Sequence, residues 1–501
     1  MSLSRRELLQ STAGLSLAAV AATSQAAAAE NPTTRENSRE GARDWQLTRI
    51  RLDKSTIRSP GIEGYCSHQS IGAGQTLDIM VSANPPVQFH LEIFRMGYYG
   101  GRGARLVHKA GPLQADTQPD PPVGDHRLRE CRWKPTYSLK IPADWPSGVY
   151  LGRLSRVPHD DGLEPWQSYV VFIVKDDRPA DILFQCSDNT WQAYNRWPDK
   201  FSLYDDGKVD WHSGPNINVS FDRPYGKYRQ IYENPQSVGS GEFLCWEFPL
   251  AFWLEQQGYD VSYCSNSDLL TPDRGLKCKT FISVGHDEYW DERQYHSVKK
   301  MIDEGVNALF LSGNTLCWVT PMTPSSAGQP NRVITRAAPY GGYASDQIAE
   351  YKLFTTKGPD EGLVMGARNI VPVNGGGDWI CDKPEHWLFA GTGMHKGDAI
   401  PGIVGWEFHG NPADIPGLEI VARGTALTGG VRPQHWTSTI HPGPKGNFVF
   451  NAATIFWSQA LSSPPGHMLP YSHNTRPHGP DDRVQRMMTN LLDRALKARP
   501  V

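Results

Sequence analysis

The sequence predicts a protein of mixed class, α/β plus β: an N-terminal β-sandwich, then an α/β domain with a mainly parallel sheet, then a Gly/Pro-rich C-terminal extension. Three observations carry this. Up to about residue 176 short apolar runs alternate with period two between Gly and Pro turns; beyond it, buried strand-like runs alternate with helical segments; and from about Thr320 to Leu461 Gly and Pro are dense and strand signals weaken. At 501 residues the chain is too long for one ordinary core.

The first 29 residues read as a targeting segment rather than as fold. Ser4-Arg5-Arg6-Glu7-Leu8-Leu9 matches a twin-arginine export signal, followed by the moderately apolar Gly14 to Val20 and an Ala-rich stretch, with cleavage expected near Ala27-Ala28-Ala29. The apolar part is too short for a span, which needs about 20 residues. The expected product is periplasmic or secreted, with no membrane contact after signal cleavage. Residues 30–44 are polar and charged, and read as a flexible leader.

The sandwich, expected over 45–176, is drawn from runs such as Thr76 to Val81, Gln88 to Phe94, Ser147 to Leu154 and Ser168 to Val174. It holds no cluster that reads as catalytic. The α/β domain, expected over 177–501, begins after Lys175-Asp176-Asp177-Arg178-Pro179. Its strands are Asp181 to Cys186, Tyr259 to Cys264, Thr280 to Val284 and Asn307 to Asn314, with helices opening at Phe248 and at Glu292. Strands alternating with helices imply right-handed crossovers and a parallel sheet of the flavodoxin-like or glutamine-amidotransferase-like kind. A long aromatic insertion over 188–247 follows the first of these strands, and a loop of that length is usually functional. A last helix is expected from Pro480 to Ala498.

Composition excludes some functions. A net charge of -3 leaves no basic excess to neutralise phosphates, so no nucleic-acid partner is expected. The 16 Trp, 48 Gly and 39 Pro suit a loop-rich protein whose clefts are lined by aromatic rings. Eight cysteines without C-x-x-C spacing speak against a zinc ribbon or redox dithiol, and leave disulfides and buried thiols both open.

Gly285-His286-Asp287-Glu288-Tyr289-Trp290 ends the apolar run Thr280 to Val284, and in open α/β sheets ligands gather beyond the carboxyl ends of strands. Asp287 reads as a cap for the following helix, which leaves His286 and Glu288 for chemistry. Serine hydrolysis of the α/β type would need a G-x-S-x-G elbow, and a cysteine amidase a Cys at this strand end; neither is present. A metal site of oxygen and nitrogen ligands remains, with His286, Glu288 and nearby tyrosines suited to a hard ion such as iron(III).

Four stretches occur in order: Ser187 to Asn195, Val219 to Tyr225, Gly285 to Trp290, and Gly405-Trp406-Glu407. Together they resemble the large (beta) subunit of N,N-dimethylformamidase and its exported relatives, over most of the chain from about Tyr65 to Leu461. The resemblance implies a mononuclear iron (Fe3+) held by two tyrosines and a glutamate. It maps Glu288 as the carboxylate ligand, Tyr194 and Tyr225 as the phenolates, His286 as the neighbouring group and Glu407 as the further acid/base. Tyr204, Tyr228 and Tyr232 share the insertion and stay open as alternatives. Asn189 and Asn195 are the expected hydrogen-bond donors to an oxyanion, and Trp191, Trp197 and Trp290 the walls of a small apolar pocket. The implied reaction is hydrolysis of a small-molecule amide; a homo-oligomer or a small accessory subunit is left open. The competing class is an exported non-catalytic binding protein, its sandwich recognising a glycan or partner beside an inactive α/β domain.

Overall fold

The computed structural model describes residues 30–497 apart from 52–55, 60, 159–161, 163, 210, 213, 228–233, 343–351, 371–374 and 429–431. The export signal expected over 1–29 lies outside the described residues. The chain is mixed α/β, strand-rich, with several sheets, some of them parallel.

Residues 30–44 are not the flexible leader that their polarity suggests. Asn31 caps the helix Pro32–Asn37 in a capping box with Thr34, and its amide donates to the Gly258 carbonyl at 2.9 Å. Glu36 is buried against Tyr99 and Arg105, and Asn37 donates to Glu255 while accepting from the backbone of Tyr98 and Tyr99. Asn31, Glu36 and Asn37 find partners in the fold, while Glu30, Arg35, Arg39, Glu40, Arg43 and Asp44 stay exposed.

Before residue 176 two sheets face each other. One is three-stranded, Ile62–Cys66, Thr76–Ala83 and Tyr137–Lys140; the other is five-stranded, in the order Ser70–Gly72, Gln167–Lys175, Gly148–Arg156, Val87–Met96, Ala104–Ala115. Leu77, Ile79 and Val81 from the first share a core with Phe89, Leu91, Leu154 and Phe172 from the second. The opposite face of the five-stranded sheet is also covered. Phe94, Val149, Leu151 and Val171 belong to the same apolar cluster as Ile182, Phe184 and Phe248, which explains why Tyr169 to Val174 is apolar without alternation.

The main sheet has seven strands in the order Val261–Cys264, Ala180–Gln185, Cys278–His286, Asn307–Gly313, Phe448–Asn451, Arg432–Pro442, Glu419–Thr428. The first five pair in parallel, and Arg432–Pro442 pairs antiparallel with both of its neighbours, Phe448–Asn451 and Glu419–Thr428. Numbered along the chain, the parallel strands read 2-1-3-4-5, the flavodoxin order, so the sheet reverses direction between Ala180–Gln185 and Cys278–His286. Loops leaving the carboxyl ends of these two neighbours diverge, and a crevice opens between them. Helices Phe248–Gln256 and Glu292–Asp303 make two of the crossovers. The C-terminal third contributes more sheet than its Gly and Pro content suggests, because the Glu419–Thr428 and Arg432–Pro442 strands extend the main sheet by antiparallel pairing. The final helix, Asp482–Leu496, buries Val484, Met487, Met488, Leu491 and Leu492. No helix among the described residues is long and apolar enough to cross a membrane. All eight cysteines are buried and free.

A buried ion pair ties the five-stranded sheet to the helix that follows the first parallel strand. Arg95 bonds both oxygens of Glu255, at 2.9 and 3.0 Å, and the same carboxylate accepts from Tyr263 and Asn37. Glu255→Ala would leave the guanidinium buried and uncompensated, and is expected to cost about 3–5 kcal/mol in denaturant melts. A loss below about 1 kcal/mol would mean that the pair does not join the two parts.

Candidate metal centre

The site begins with a glycine. Gly285 has φ +70°, and a Cβ there would come within 2.7 Å of Trp246 Cβ and 3.0 Å of the Trp246 carbonyl, so only glycine lets this strand end turn. The turn delivers His286, Asp287 and Glu288 beyond the sheet, and Tyr289–Trp290 then pairs in parallel with Trp318–Val319. That extra pairing delays the helix. Asp291, not Asp287, is its N-cap, accepting from Arg293 N at 2.8 Å. Asp287 is instead buried, its Oδ2 accepting from Gln185 and Ser283.

Three carboxylates converge on one imidazole. His286 Nδ1 lies 2.8 Å from Glu242 Oε2, and Nε2 lies 3.1 Å from Glu407 Oε2 and 3.4 Å from Glu288 Oε2. All four residues are 2% exposed or less. On the other side of Glu288, Tyr194 donates its hydroxyl hydrogen to Oε2 at 2.5 Å; the Tyr194 and Tyr204 hydroxyls are 3.2 Å apart, and Tyr204 also bonds Tyr289. Thr190 Oγ1 accepts from the Glu288 backbone N–H, fixing the carboxylate's origin.

The electrostatics follow from this burial. Burial and the neighbouring Glu288 charge push Glu407 up to about 8. Burial alone would lower His286, but the Glu407 and Glu242 carboxylates carry it well above the ordinary histidine value. Burial raises Glu242, with His286 opposing, and holds the phenols of Tyr194, Tyr204 and Tyr289 in their neutral form with the help of Glu288.

Ligand atoms of His286, Glu288 and Glu407 all lie within 4.8 Å of one another, close enough for one ion. Glu242 Oε1 is buried without a hydrogen bond, and Glu407 Oε2 has the His286 imidazole at 3.1 Å as its neighbour, so the buried negative charge here is costly unless a cation or further protons offset it. The donor set, carboxylates and phenols with one imidazole, suits a hard transition-metal ion.

Of the residues singled out from sequence, Tyr194, His286, Glu288 and Glu407 are brought together. Tyr225 is not among them: it is half-buried beside Trp191 and lines a separate cavity with Asp188, Arg223 and Arg332. Tyr204 holds the place next to Tyr194, while Tyr228 and Tyr232 lie outside the described residues. The asparagines are scaffold. Both amide hydrogens of Asn195 go to Gln192 Oε1 and the Pro224 carbonyl, and Asn189 donates to the Tyr289 carbonyl, so the oxyanion role expected of them is already occupied by fold contacts. Trp197 and Trp290 are packed in cores, and the rings at the site are Trp246, Trp406 and Trp211. Arg223 grips the carbonyls of Gln192, Asn195, Trp197 and Phe201 on either side of Tyr194, its guanidinium pushed down to about 9 by burial. Sequence reasoning missed Glu242. It precedes a π-helical turn, Phe243–Glu247, a form that often marks functional sites, but 44 residues separate it from His286.

A family profile described as N,N-dimethylformamidase beta subunit-like, C-terminal, matches residues 90–473, which include all four site residues. The chain belongs to the N,N-dimethylformamidase beta-subunit-like family. No curated protein matches the chain. Among solved structures, a family 123 glycoside hydrolase from Clostridium perfringens aligns at 11% identity over 53% of this chain and 47% of its own, with a TM-score of 0.11, too low to carry an argument. The family match covers a candidate His/Glu metal site in a dimethylformamidase-like hydrolase.

Glu407 and His286 both hold protons more tightly in the fold than in the unfolded chain, so their contribution to stability falls as pH rises: from 4.5 towards about 8 for Glu407, and from 6.5 upwards for His286. Buried His409, His467 and His473, held down at about 4, act in the opposite sense, but their effect is complete by their ordinary value of 6.5. Metal-free protein should therefore lose thermal stability between pH 6.5 and about 8, and Glu407→Gln should flatten that decline. A wild-type melting temperature that rises over this window would contradict the assignment.

Proposed function

We propose that the protein is a metal-dependent hydrolase that cleaves a C–N amide bond of a small substrate, using a mononuclear iron held by Glu288, Tyr194 and Tyr204. The observation that supports it most is the contact of the Tyr194 hydroxyl with Glu288, itself beside the His286–Glu407 pair. Tyr204 replaces Tyr225 in this reading because its hydroxyl neighbours that of Tyr194. When bound, the ion supplies Lewis-acid polarisation of the amide carbonyl and acidifies water.

The chain's own residues do the rest. Glu242, bonded to Nδ1, fixes the orientation of the His286 ring and leaves Nε2 facing Glu407. In its carboxylate form, which a nearby positive charge favours over the raised value of the metal-free fold, Glu407 takes the proton of the attacking water, and His286 Nε2 hands a proton to the departing amine nitrogen. Products are a carboxylic acid and an amine. Trp406 and Trp246 stand edge-on to the imidazole and exclude water from the proton path. The same proposal includes a sandwich domain over 45–176 that packs against an α/β domain, and twin-arginine export to the periplasm or beyond, which rests on Ser4-Arg5-Arg6 and the segment after it.

Metal analysis, the visible spectrum and hydrolysis of N,N-dimethylformamide test the reading together. Wild type should hold one iron per chain and absorb visible light. Glu288→Ala and Tyr204→Phe should each weaken iron binding by at least about tenfold, while Tyr225→Phe should retain it. Colourless, metal-free protein without amide hydrolysis would overturn the proposal; loss of iron in Tyr225→Phe alone would return the ligand role to that tyrosine.

A further inference from the structure

Arg336 is fully buried, and no carboxylate lies within 4.0 Å of its guanidinium among the described residues. A buried charge without an acid is expensive unless other groups replace the water it lost. Three backbone carbonyls do so. Nη2 donates to Leu203, His212 and Gly214 at 3.0, 3.0 and 2.8 Å, and Nε reaches Gly214 at 3.3 Å. Two π faces add to this: the guanidinium carbon lies 4.6 Å from the Tyr204 ring centre and 4.8 Å from that of Trp318, while Nη1 is buried without an acceptor.

These contacts converge on the candidate metal centre from both sides. Tyr204 and Trp211 belong to the turn whose carbonyls Arg336 holds, and their rings stack at 4.5 Å with 12° between planes. Trp318, under the same guanidinium, donates its backbone N–H to the Glu288 carbonyl at 3.0 Å. One side chain therefore joins the tyrosine turn to the strand segment that carries Glu288. One nitrogen, Nη2, reaches the Leu203 carbonyl and those nine and eleven residues further along the chain, while the planar guanidinium lies against two rings.

We propose that Arg336 is a positioning residue of the metal centre, clamping the Leu203 carbonyl to those of His212 and Gly214 so that Tyr204 is held beside Tyr194 and Glu288. The link to metal rests on Tyr204 being a ligand; the clamp does not, and it can be read in metal-free protein. Lys208 is exposed at the tip of this turn, so trypsin reports the turn's opening.

The test compares wild type, Arg336→Met, Arg336→Lys and Tyr204→Phe, each checked for global melting and digested metal-free. Arg336→Met should be cut after Lys208 faster by about tenfold or more, Arg336→Lys by an intermediate factor, and Tyr204→Phe, which keeps the ring, at the wild-type rate. If Arg336→Met fails to fold, Arg336→Lys carries the comparison. Titration with ferric iron should show weaker binding in both arginine variants and in Tyr204→Phe. Wild-type cleavage rates in folded Arg336 variants would overturn the clamp. Accelerated cleavage in a protein that takes up no ferric iron would uphold the clamp and reject the metal reading instead.

Discussion

Three carboxylates around one buried imidazole carry more negative charge than the fold around them neutralises, and this imbalance governs the rest of the site. Two like charges about 4 Å apart at a protein's usual effective dielectric repel by about 4 kcal/mol. The chain relieves part of that by keeping Glu407 protonated to about pH 8 and His286 charged. A bound cation would relieve the remainder. The phenols of Tyr194 and Tyr204 beside Glu288 are groups that a cation can deprotonate and a proton cannot, which supports the proposed metal reading over protonation alone.

Holding such a cluster dry requires a rigid surround, and the fold provides it from widely separated segments. The direction switch of the main sheet opens the crevice between the Ala180–Gln185 and Cys278–His286 strands. The first leads into the insertion that supplies Tyr194, Tyr204 and Glu242; the second supplies His286 and Glu288. Glu407 arrives from the long connection after Asn307–Gly313, with Gly313 in such close approach to the Glu407 carbonyl that a Cβ would lie 2.2 Å from it. Buried arginines replace carboxylate partners with carbonyl cages, Arg223 around the Tyr194 segment and Arg336 around the Tyr204 turn.

Much of this was legible in the sequence, for reasons that differ from residue to residue. Thr280 to Val284 is apolar because its strand is buried on both faces, and a His and Glu at its end stand out against that run. The parallel strands were legible for the same reason. Asp287 misled because capping depends on where the helix starts, and the pairing of Tyr289–Trp290 with Trp318–Val319, a contact between distant segments, moves that start by four residues. The choice between Tyr204 and Tyr225 was closed to sequence because the insertion has no periodicity to say which ring faces inward. Glu242 had no signal at all, since its role exists only across the 44-residue gap to His286. Residues 30–44 failed as a leader because polarity does not distinguish solvent from buried hydrogen-bond partners.

The central claim is that one ion sits where Glu288 meets the tyrosines and the His286–Glu407 pair. Anomalous diffraction at the iron absorption edge, from crystals of the protein as purified after growth with iron, tests it most directly. A single anomalous peak bonded by oxygens of Glu288, Tyr194 and Tyr204 is the predicted result. A peak among the residues around Tyr225, or no peak in the crevice, would contradict it.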